Sequence, residues 1–109
     1  MSLFEKLKAS MDNEDTPAFL ALLHDDFVFV RHQSGTTMSK ADMAAMMAEM
    51  EGATGWSVEN QRCIYENDDI LVEHSVMTFP DGTREAILGA HTLKDGQIIR
   101  METGATLLS

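Results

Sequence analysis

Two Asp-Gly pairs, Asp81-Gly82 after Pro80 and Asp95-Gly96 after Lys94, most constrain what this chain can fold into. Both residue types tolerate the positive φ angles of tight hairpin turns, so each pair predicts a reversal of chain direction. Thr83 to Leu93 lies between them and Gln97 to Ala105 follows, both with strand-like composition. Upstream, Trp56 to Tyr65 and Ile70 to Phe79 flank the polar turn Glu66-Asn67-Asp68-Asp69. Everything after Gly55 therefore reads as a four-stranded antiparallel meander.

The first half reads differently. Leu3, Leu7 and Met11 recur at four-residue spacing, with Phe4 beside them, which predicts a short amphipathic helix. Asp15 or Thr16 is the candidate N-cap of a second helix, with Pro17 at its first position. Phe19, Leu20, Leu22 and Leu23 would form its buried face, and Asp25-Asp26 would end it. Phe27 to His32 is then a strand. Ser39 with Asp42 three residues on approximates a capping box, and Met43, Met46, Met47 and Met50 form one helical stripe that Gly52 is placed to stop.

A chain of 109 residues with 44% apolar content suits one domain, residues 1–109, of the α+β class, with about three N-terminal helices covering one face of a curved sheet. Eighteen acidic side chains against eight Lys and Arg give a formal charge of −10, which argues against nucleic-acid and membrane-surface partners. A single cysteine, Cys63, cannot form an internal disulfide, and neither a zinc-ligand set nor a Cys–His nucleophile is legible. No cofactor or metal is expected. Met1 to Lys8 lacks the apolar core of a secretory signal, and Ala18 to Leu23 is far too short to span a membrane, so a cytoplasmic location is the expectation.

The order of two helices, a strand, a capped helix and four meander strands resembles the nuclear-transport-factor-2-like superfamily. Leu22-Leu23-His24-Asp25-Asp26-Phe27-Val28-Phe29 and Lys94-Asp95-Gly96-Gln97-Ile98 carry the resemblance, which is nearest to the SnoaL-like branch of ketosteroid isomerase and polyketide cyclase relatives. It implies a cone-shaped, cystatin-like half-barrel, helices closing a cavity, and a homodimer paired through the outer sheet face. The catalytic residues of a ketosteroid isomerase do not carry over. Arg31 stands where the resemblance puts the aspartate base, Leu7 near the oxyanion-hole tyrosine, and Gly89 near the protonated acid. The aspartate common in the SnoaL-like last strand is missing from Met101 to Ala105.

Alternate side chains of a strand face opposite sides of the sheet. Aligned on the family pattern, Phe27, Phe29 and Arg31 point inward from the first strand. So do Ile70, Val72, His74 and Val76, then Glu85, Ile87, Gly89, His91 and Leu93, and finally Ile99, Met101, Thr103 and Ala105. Val58, Asn60, Arg62 and Ile64 share a face whose direction stays open. Arg31, His74 and His91 are thus the candidate catalytic residues, with Phe27, Phe29, Val72, Glu85 and Met101 as candidate ligand contacts. An imidazole titrating near neutrality would serve as base, and a guanidinium would hold a developing oxyanion, which suits proton abstraction next to a carbonyl.

Each candidate also has a plainer role: His74 and His91 as hydrogen-bonded core residues, Arg31 as a solvated strand end, and the Met stripe as packing. Three functions fit these residues. One is isomerase- or cyclase-type chemistry on a small carbonyl or carboxylate ligand, another is non-catalytic ligand binding, and the third is a protein-interaction module. The last would use an outer face of Leu71, Ser75, Met77 and Phe79. Convergence of Arg31, His74 and His91 on one cavity would separate them.

Overall fold

Ser2 opens the first helix, α1 (Leu3–Asp12): its hydroxyl accepts from Glu5 N while the Glu5 carboxylate accepts from Ser2 N, a closed capping box. In the computed structural model, which describes residues 1–109, α2 (Thr16–Ala21) follows, capped by Asp15 with Pro17 in its first turn. The remaining elements are β1 (Leu23–Arg31), β2 (Thr36–Ser39), α3 (Lys40–Met50), β3 (Ser57–Glu66), β4 (Ile70–Thr78), β5 (Arg84–Lys94) and β6 (Gln97–Leu108). The class is the expected α+β, with three helices and one curved open sheet.

Several boundaries differ from the sequence reading, among them the end of β6, which runs to Leu108 and not Ala105. The second helix ends at Ala21, and Asp25-Asp26 lie inside β1, where the pairing with β6 shifts register between Leu23 and Val28. A bulge admits polar residues into a strand by turning them out of the ladder, so these acidic residues punctuate the strand and not the helix. Strand β2 was not foreseen. It is four residues long, lacks apolar alternation, and exists because it pairs with Val28 to Arg31.

The strand order is β2-β1-β6-β5-β4-β3, antiparallel throughout except for the β1–β6 pair. Helix α3 carries the chain from β2 at one edge to β3 at the other, and the meander then returns to β1. Its capping box forms as read, with Ser39 Oγ accepting from Asp42 N and Asp42 Oδ2 from Ser39 N. Asp95 and Gly96 both have positive φ, as a two-residue hairpin requires, and they place Lys94 opposite Gln97.

Leu7, Phe19, Leu23, Phe27, Met43, Leu71, Ile98 and Met101 form the core between the helices and the inner face of the sheet. Met46 and Met47 pack against it from α3. Ile98, not Ile99, enters the core, because the β5–β6 pairing shifts by one residue at Leu93. Register shifts in β3, near Glu59–Arg62 and Cys63–Tyr65, curl that edge over the helices. The Glu66 carboxylate accepts from the backbone N–H groups of Leu3 and Phe4, tying the start of α1 to the end of β3. No helix is long and apolar enough to cross a membrane.

Candidate functional site

Strand β5 supplies two of the polar side chains of the interior, Glu85 and His91. Glu85, Gly89 and His91 alternate along one face and are all buried. At the open end of the half-barrel Glu85 meets Arg31 from β1. The Arg31 Nη2 donates to both carboxylate oxygens, at 2.9 and 3.2 Å, and to Gln33 Oε1 at 2.6 Å. The Glu85 side chain is 8% exposed and that of Arg31 35%, so the ion pair has one foot in the interior and one in solvent.

That pair forms part of the lining of a cleft of about 410 Å³ completed by Trp56, Phe79, Pro80, Asp81 and Thr83. Trp56 and Phe79 stand edge to face, with ring centroids 5.2 Å apart, and the Arg31 guanidinium carbon lies 6.0 Å from the Phe79 centroid. β3 pairs Ser57 with Thr78, so the residues just beyond, Trp56 and Phe79, meet. The two register shifts of β3 bring these residues opposite each other, so counting outward from the Glu66↔Leu71 pair at the turn does not reveal the encounter. The cleft is open to solvent, and two of its seven lining residues are hydrophobic.

Deeper inside, His91 makes a second couple. Its Nε2 lies 2.7 Å from Glu73 Oε2, and Gln61 Nε2 donates to Glu73 Oε1 at 3.2 Å and to Met11 Sδ at 3.5 Å. Gly89 makes this contact feasible. A Cβ there would fall 2.8 Å from His91 Cε1 and 3.0 Å from its Nε2, so the imidazole lies in the space a side chain would take. Glu73 and Gln61 were not among the sequence candidates, because a carboxylate on an apolar strand reads as solvent-facing until its buried partner is known.

The face of β4 is the main correction. Leu71 and Ser75 are buried, and Glu73 reaches the interior His91, so Leu71, Glu73, Ser75 and Met77 point inward. Ile70, Val72, His74 and Val76 point outward. His74 instead meets Arg62 on the outer surface, Nδ1 to Nη1 at 3.2 Å. Arg31, His74 and His91 therefore do not converge on one cavity, and Val72 is on the side away from the interior. Neither histidine lines the cleft, whereas Arg31 and Glu85 do. Phe27 and Met101 sit in the packed core with Phe29 against it.

The remaining charged groups act locally. His32 Nε2 and Arg100 Nε bond the two oxygens of Glu102, at 2.6 and 3.2 Å, and hold its carboxyl below the usual range. Hydrogen bonds from the Thr83 hydroxyl and backbone N–H likewise lower the Asp81 carboxyl on the cleft rim. Burial, with the Glu66 and Glu73 carboxylates nearby, pushes the Cys63 thiol up, which disfavours a reactive thiolate. No three His, Cys, Asp or Glu side chains are grouped to hold a metal ion.

A family model described as SnoaL-like domain matches residues 4–101. Comparison with curated protein sequences finds no match. Among solved structures, a candidate ketosteroid isomerase from Kribbella flavida superposes with a TM-score of 0.79 at 17% identity, covering 98% of this chain and 77% of that one. A candidate polyketide cyclase from Pseudomonas putida gives 0.76 at 21% identity, with coverage of 95% and 91%. An LEH-like epoxide hydrolase from M. tuberculosis gives 0.73 at 19%, with coverage of 95% and 80%. At these identities the likeness is one of fold, and the fold hosts different chemistries.

Proposed function

We propose that this chain, which belongs to the SnoaL-like domain family, binds a small organic molecule bearing a carbonyl or carboxylate in the cleft at the open end of its half-barrel. The observation that carries this reading is the Arg31–Glu85 pair set against the Trp56–Phe79 wall. All three hydrogen bonds of Arg31 use Nη2, which leaves Nε and Nη1 free to donate to a ligand oxygen. The aromatic edge offers apolar contact to the rest of the molecule.

The same pair suits proton transfer next to a carbonyl. The Glu85 carboxylate takes a proton from the adjacent carbon, the electron pair moves onto the carbonyl oxygen, and Arg31 holds the resulting enolate. Return of a proton at another carbon completes an isomerisation, and attack of the enolate carbon on a second carbonyl completes an aldol-type cyclisation. The base is thus Glu85 in place of His74 or His91, since it is Glu85 that lines the cleft.

Trp56 is the only tryptophan, so its emission reports occupancy of the cleft. Titration with cyclohexanone and with cyclohexanecarboxylate should change that emission saturably, and Arg31→Gln should weaken binding about tenfold, as loss of a hydrogen bond from a charged donor implies. A flat titration across such ketones and acids would remove the reading.

A second copy of the chain is the partner we propose, through the outer sheet face. Leu88 there is 48% exposed and Tyr65 56%, beside Ile70, Val72, Val76, Ala86 and Ala90. Exposed apolar side chains grouped on one sheet face mark an interaction surface. The residues first assigned to it, Leu71, Ser75, Met77 and Phe79, belong to the inner side or the cleft.

A further inference from the structure

His91 is 2% exposed, yet its Nδ1 has no hydrogen-bond partner, and neither has the buried Oε1 of Gln61. Buried polar atoms are nearly always satisfied, so two unpaired atoms in one cluster mark a place where a hydrogen-bonding partner can bind. The protonation pattern defines what that partner is. Glu73 accepts at His91 Nε2, which places a ring proton there, and in the neutral imidazole the lone pair is then on Nδ1. Gln61 directs its amide nitrogen to two acceptors, Glu73 Oε1 and Met11 Sδ, so its free atom is the carbonyl oxygen. Both unpaired atoms are therefore acceptors.

We propose that the Gln61–Glu73–His91 cluster is a second polar binding point, distinct from the Arg31–Glu85 cleft, that receives a hydrogen-bond donor of a small organic ligand, a hydroxyl or an N–H, at His91 Nδ1. Glu73 acts as a positioning residue that fixes the tautomer, and Gly89 leaves the ring its place over the strand. The cluster reaches the surface through the partly buried side chains of Glu73, Gln61 and Met11, and the flexible methionine there can adapt to a ligand. Six residues of β5, about 20 Å of extended strand, separate His91 from Glu85, so this point takes a donor-bearing ligand of its own. The two points fail or succeed separately.

Phenol and anisole test the inference, since they match in shape and only phenol has a donor. In the full-length chain labelled with 15N-histidine, His91 Nδ1 should resonate as an unprotonated nitrogen at neutral pH. Phenol should move that resonance saturably and anisole should not, with phenol bound about fivefold tighter, as one neutral hydrogen bond implies. His91→Phe, which keeps a ring of similar size, should abolish the preference, and Arg31→Gln should leave it intact. If His91→Phe does not fold, the Nδ1 resonance of the unmodified chain decides alone. A protonated Nδ1, or one unmoved by saturating phenol because an internal water occupies the point, overturns the proposal.

Discussion

Glu85 Oε1 lies 2.9 Å from Arg31 Nη2, so the pair ties β5 to β1 across β6, which separates them in the sheet. The carboxylate is the more buried partner, so the two truncations differ in cost. Arg31→Met strands a buried carboxylate and should lower stability by about 1–3 kcal/mol, toward the low end because the arginine is itself partly solvated. Glu85→Gln keeps an acceptor for the guanidinium and should cost less. Urea denaturation of both variants checks the order.

Gly89 and Gly104 give a matched pair of substitutions. Gly89→Ala drives a methyl into the His91 ring and should destabilise by about 1–3 kcal/mol while displacing the imidazole from Glu73. A Cβ at Gly104 meets nothing within 4 Å, so Gly104→Ala should be neutral or slightly stabilising. Thermal unfolding of the two variants, with the His91 ring signals as a second readout, makes the comparison.

The Asp81 carboxyl titrates below its ordinary value because Thr83 donates two hydrogen bonds to it. A folded-state value depressed below the unfolded one stabilises the fold above the unfolded carboxylate range, and that contribution fades as pH falls through the folded value. Thr83→Val removes the hydroxyl donor, so the Asp81 titration should move up toward the ordinary range and, on acidification, the smaller remaining contribution should be lost sooner. Carboxyl 13C shifts followed through an acid titration give the answer.

The outer face offers a test of assembly. Light scattering should return the mass of a dimer for the unmodified chain, and Leu88→Glu should shift it to a monomer with unchanged circular dichroism, because Leu88 is about half exposed and lies outside the core cluster. A monomer at micromolar concentration before any substitution removes the proposed pairing.

How much of this was legible in the residues follows from where the information lies. Alternation along β5, given its sense by the family resemblance, put Glu85, Gly89 and His91 on the inner face, and all three are buried. Strand β4 carries apolar side chains on both faces, Leu71 and Met77 on one, Val72 and Val76 on the other, so alternation has no preferred sense there. The one residue that breaks the tie, Glu73, points inward only because His91 on the next strand receives it. That is a tertiary fact with no local signal. Register shifts added the remaining error, since those in β3 insert one residue each and that in β1 three, every one flips parity, and none is marked by a glycine in β1 or β3.

The central claim is that the Arg31–Glu85 cleft is the ligand site, and the side-chain N–H resonances of Arg31 and Trp56 test it most directly. During a cyclohexanone titration monitored by 15N correlation spectra, the Arg31 Nε–H and Trp56 indole N–H signals should move together and saturate at one concentration. Neighbouring amides at Phe79, Asp81 and Thr83 should follow them. Signals that move only on the outer face around Leu88 and His74, or do not move at all, would contradict it.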